Sequence, residues 1–140
     1  MGTVYRPLNN GSGCGGVMRA HPVGIAFQNA ELAFIRGVSC AVATHGGREG
    51  HLPAGALAQI VSTILRGECF EEAVYIARIS LEAQAGSQNT LTAIRVAMEE
   101  PVSHPTMSIE SKVGHTATPK GGGWLGHDDL AIRDRSEMSA

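Results

Sequence analysis

The sequence has no excess of positive charge. Eleven Lys and Arg residues face thirteen Asp and Glu, giving a formal charge of −2 and a pI of about 6.3. That balance argues against a nucleic-acid-binding surface and against a basic face for membranes. No apolar run approaches the ~18 residues of a membrane helix, and no apolar leader core follows Met1. Cysteine is scarce: Cys14, Cys40 and Cys69 are an odd number at unrelated spacings. They imply reduced thiols in a cytoplasmic protein rather than a disulfide framework. Aromatic residues make up only 4% of the chain. Sustained period-two alternation is missing, which excludes a sheet of half-buried strands. Metal-ligand spacings are missing too. His45 and His51 are separated across glycines, and neither His-x-x-x-His nor Cys-x-x-Cys occurs.

What the chain has is glycine, 18 of 140 residues, in clusters at 11–16, 46–50 and 121–126. The length suits one small domain with a core of its own. Helical periods lie between the clusters. Phe34, Ile35, Val38, Ala41, Val42 and His45 line one face of a helix over 29–45, with Asn29 as N-cap and Gly46-Gly47 as the stop. Leu57, Ile60, Val61, Ile64 and Leu65 predict a second helix over 53–66, opened by Pro53 and ended by Gly67. A third covers 70–85, with Glu71 and Glu72 at its positive end and Gly86 after it. A fourth covers 88–100 and stops at Pro101. Short connections join them, so the expected fold is all-α. Residues 102–121 read as a long loop, 124–132 as the start of another helix, and 133–140 as a polar tail. A helix with no room to finish predicts a truncated chain.

The stretch Asn9-Asn10-Gly11-Ser12-Gly13-Cys14-Gly15-Gly16-Val17-Met18-Arg19 carries the most information. Gly11, Gly13 and Gly16 match G-x-G-x-x-G. A dinucleotide fold would need a strand before that motif and a βαβ unit around it, and this chain has neither. No Lys-Ser/Thr follows, so it is not a Walker loop. Two readings stay open: a tight turn between helices, and a nest of backbone N–H groups that holds an anion, with Ser12 and Asn10 as side-chain partners.

Cys14 could be a nucleophile activated by that loop, but a packing role weighs more without a His or Asn partner nearby in sequence. His45 reads first as a histidine closing a helix C-terminus, and second as a ligand contact where that helix opens into a loop. Asp128-Asp129, Glu71-Glu72 and Glu99-Glu100 read as solvated pairs, because adjacent side chains on a helix point apart.

Taken in order, four pieces of the chain resemble the ADP-ribosylglycohydrolase family, the group that includes the dinitrogenase-reductase-activating glycohydrolase. The pieces are Asn9-Asn10 with Gly13 through Arg19 and Pro22-Val23-Gly24; Ala41 through Thr44-His45-Gly46; His51-Leu52 through Gly67-Glu68; and Gly122-Gly123-Trp124 with Leu130-Ala131-Ile132. The resemblance runs over 9–100 and 122–132.

It implies an all-α, orthogonally packed helical domain, incomplete relative to the family, that removes ADP-ribose from modified targets. It implies two magnesium or manganese ions that activate water. It implies a substrate-binding set of Asn10, Gly13, Cys14, Gly15, Gly16 and His45, with His45 near the diphosphate and Arg19 buttressing the loop. The partner implied is ADP-ribose or an ADP-ribosylated substrate.

Family members carry their metal carboxylates in a Thr-Asp-Asp type motif before the loop and a Gly-Asp-x-Asp-Ser/Thr motif after the tryptophan helix. Neither motif occurs in this sequence. The expectation is therefore an inactive fragment with no metal ligands and no catalytic residue of its own. Its uncovered apolar faces would promote self-association. A non-catalytic ADP-ribose or nucleotide-binding module is the alternative.

Overall fold

The computed structural model describes residues 2–99. Within them lie six helices: α1 (Gly15–Met18), α2 (His21–Ala26), α3 (Ala30–Val42), α4 (Arg48–Leu65), α5 (Phe70–Glu82) and α6 (Gln88–Glu99). The fold is all-α. The loop over 102–121, the helix start over 124–132 and the tail lie outside the described residues.

Helix α4 is the axis of the fold. Thirteen of its 18 residues are buried, so it is enclosed on most sides rather than along one stripe. Helices α1, α2 and α3 pack against it, as do α5 and α6. Leu57, Ile60, Leu81, Ile94 and Val17 fill the centre, with alanines from α4, α5 and α6 between them. Small residues let α3 and α4 approach closely. A Cβ on Gly37 would come 2.8 Å from the Ala54 carbonyl oxygen and 2.9 Å from the Ala58 Cβ.

The helix ends follow local chemistry. The Asn29 side chain caps α3 by accepting from the Leu32 N–H at 2.9 Å. Gly67 ends α4 at φ +96°. Its N–H donates to the Ile64 carbonyl at 2.8 Å, and the Glu68 N–H donates to the Thr63 carbonyl at 3.4 Å. Those two bonds are a Schellman stop.

Several boundaries differ from the sequence reading. Helix α4 starts at Arg48, five residues before Pro53, which sits inside the helix. Gly47 is its N-cap, and the run after it is already helical. Helix α3 ends at Val42. Thr44 and His45 continue as a turn, their N–H groups donating to the Ala41 carbonyl at 3.1 and 2.9 Å. His45 therefore lies beyond the helix rather than on its last apolar position. Helix α5 ends at Glu82. Helices α1 and α2 are too short for a periodic pattern to reveal them.

Candidate functional site

The segment that enters α1 lies against the turn between α3 and α4, and Asn9 holds the two together. Its Oδ1 accepts from the N–H groups of Gly11 at 2.8 Å and Gly46 at 3.2 Å, and its Nδ2 donates to the Thr44 carbonyl at 3.1 Å. The Gly47 N–H donates to the Gly11 carbonyl at 2.9 Å. Side chains at 46 or 47 would run into the backbone of Asn9 and Asn10.

The His45 imidazole lies on the first residue of α1. A Cβ on Gly15 would come 3.1 Å from His45 Cε1 and 3.2 Å from Nε2. Gly16 presses still more closely on the Gly50 carbonyl of α4. These glycines serve close approach, not left-handed backbone. Among the described residues only Gly67 and Gly86 have positive φ. The loop is thus not the alternating-handed nest that its composition suggests. Its convergent N–H groups belong to the first turn of α1, whose N-cap Cys14 makes no side-chain capping bond.

Three side chains surround that turn. An Arg19 guanidinium nitrogen, Nη2, donates to Thr44 Oγ1 and lies 3.5 Å from both the Ala41 carbonyl oxygen and His45 Nδ1. Thr44 Oγ1 lies 2.8 Å from the same His45 Nδ1. Partial burial lowers the His45 pKa, and the nearby Arg19 charge lowers it further. His51 follows on α4. Its Nδ1–H donates to the His45 carbonyl at 3.2 Å. Burial is the main reason its pKa is lowered; that hydrogen bond works the other way, and the Arg48 charge adds to the lowering.

Of the predicted site residues, Gly13, Cys14, Gly15, Gly16 and His45 come together around the start of α1. Asn10 stands at the exposed entrance of the loop, where its carbonyl accepts from Ser12 Oγ at 3.4 Å. Cys14 is half-buried with a free thiol, its Sγ 3.8 Å from Met18 Sδ. No imidazole or carboxylate is hydrogen-bonded to it among the described residues. Sequence reasoning missed Asn9 and Thr44 as site-forming side chains. Asn9 had a signal, because an Asn two residues before a Gly can close an Asx turn.

A family model described as ADP-ribosylglycohydrolase matches residues 2–132. The chain belongs to the ADP-ribosylglycohydrolase family. Comparisons with curated proteins and with solved structures give no match.

ADP-ribosylglycohydrolases are generally metal-dependent, so the donor set here is a direct test. Residues 2–99 contain no aspartate. Among the described residues, no three His, Cys, Asp or Glu side chains gather in a group that could hold a metal ion. His51 Nδ1 is already committed to a carbonyl. The described residues do not fit a divalent-cation site, and Asp128 and Asp129 lie outside them. Among the described residues no helix is long and apolar enough to cross a membrane.

Proposed function

We propose that this ADP-ribosylglycohydrolase-family chain binds the ADP-ribose part of a modified substrate where Gly13–Gly16 meets His45. The parent reaction of such a site is hydrolysis of an ADP-ribosyl glycosidic bond. The observation that carries the reading is the seating of the His45 ring on Gly15. It sets an imidazole edge beside first-turn N–H groups that no side chain caps, an arrangement of donors suited to a phosphate oxygen.

We also propose that the 140-residue polypeptide binds without hydrolysing. The magnesium or manganese expected for the family finds no ligand set in residues 2–99. Free Cys14, Cys40 and Cys69 thiols support a reducing, cytoplasmic setting.

Calorimetric titration with ADP-ribose, plus an assay for ADP-ribose release from an ADP-ribosylated peptide in magnesium, tests both statements. The expected result is measurable binding with no release. Chelator-sensitive turnover overturns the inactivity. Absence of binding with and without magnesium overturns the ligand assignment. The absence of aspartate from residues 2–99 favours a second reading, in which the chain is not an inactive enzyme fragment but a non-catalytic ADP-ribose or nucleotide-binding module that needs no metal. Equal affinity in magnesium and in chelator selects it.

A further inference from the structure

Two groups, the Thr44 hydroxyl and the Arg19 guanidinium, converge on the Nδ1 side of His45, and their donor capacities bear on its tautomer. Arg19 can only donate, so Thr44 Oγ1 must accept from it. The Thr44 hydroxyl proton is then free to point at His45 Nδ1, 2.8 Å away. The Arg19 guanidinium approaches the same nitrogen at 3.5 Å. A cation and a hydroxyl proton facing one ring nitrogen favour that nitrogen as a bare acceptor. In a neutral ring the remaining proton sits on Nε2, which with Cε1 forms the ring edge that faces Gly15.

We infer that Arg19 and Thr44 are positioning residues that fix His45 as the neutral Nε2–H tautomer, making it a hydrogen-bond donor for an anionic oxygen and not a general base. The ligand half of this inference rests on the proposed ADP-ribose reading; the tautomer half stands without it. The relay runs Arg19 Nη2–H to Thr44 Oγ1, Thr44 O–H to His45 Nδ1, and His45 Nε2–H to the ligand. Its first residue follows α1 and the other two follow α3, so the loop and the turn are locked in the act of setting the proton. A His45 protonated at Nδ1 would face the guanidinium with like polarity and present a lone pair to an incoming phosphate.

The test uses the full chain labelled with 15N-histidine at neutral pH. The ring nitrogen shifts of His45 should report an unprotonated Nδ1 and a protonated Nε2 in the ligand-free protein. Thr44→Val keeps the size and removes the hydroxyl. It should move His45 towards the Nδ1–H form, and Thr44→Ser should restore the parent pattern. Circular dichroism identifies any variant that has lost its helices, and the parent spectrum decides the tautomer even then. ADP-ribose affinity should fall about tenfold in Thr44→Val, the effect of one misdirected hydrogen bond, and recover in Thr44→Ser. An Nδ1–H or evenly mixed tautomer in the parent overturns the relay. A tautomer switch with unchanged affinity overturns the donor role. If the parent has the Nε2–H form but binds no ADP-ribose, the functional reading fails and the relay survives.

Discussion

His51 is 3% exposed and spends its Nδ1 proton on the His45 carbonyl. Charging such a ring costs more in the folded protein than in the unfolded chain, where the pKa is near 6.5. The folded pKa is lowered, so the unfolded state binds more protons in the interval between the folded pKa and about 6.5. The stability contribution is complete above about pH 6.5 and is lost as pH falls towards the folded pKa. His45 acts in the same direction. The melting temperature should therefore drop between pH 7.5 and pH 5.5. His51→Asn keeps a donor near the Nδ1 position and removes the titration, so its melting temperature should drop less. An equally steep fall in the variant would assign the effect to other groups. At this scale the sequence was partly legible. The Asn29 cap follows from residue type and position. The Arg19 partner of His45 does not, because Arg19 meets it only after α1 folds against the end of α3.

At the level of elements, two glycines do different work. Gly67 has φ +96° and open space around its missing Cβ. Gly67→Ala should cost about 1 kcal/mol, from the backbone alone. Gly37 is helical and pressed against α4. Gly37→Ala gains helix propensity of about 1 kcal/mol, but overpacking costs ~1–3 kcal/mol, because the obstructing atoms are the Ala54 carbonyl and Ala58 Cβ. Both variants should unfold at lower urea, Gly37→Ala by forcing α3 away from α4. If Gly37→Ala is more stable than the parent, the contact between those helices is looser than described. Four of the six helices were legible because their apolar residues repeat for three turns or more. The start of α4 was not, because Pro53 usually marks a first turn and here lies inside the helix.

For the whole molecule, the apolar surface sets the expected behaviour. Ile25 and Leu65 are 64% and 63% exposed. They flank a cleft of about 330 Å³ between α2 and α4, lined also by Gly24, Gln28, Ser62 and Arg66. Tyr75 and Ile79 add an exposed pair on α5. Patches of this kind promote association. Sedimentation velocity should show mass increasing with concentration, and Ile25→Glu with Leu65→Glu should shift the chain towards monomer. A parent that stays monomeric at high concentration would show that these residues do not associate.

The sequence by itself determined the all-α class, the N-cap of α3 and the stop at Gly67. Periodicity, capping and backbone preference act over a few neighbouring residues. It also carried the order of motifs that marks the family. The tertiary structure decided what surrounds those motifs: glycines expected to bend a loop instead admit a histidine ring and a carbonyl, and His45 acquires a neighbour from 26 positions away. Such contacts depend on which helix ends meet, and local sequence does not encode that meeting.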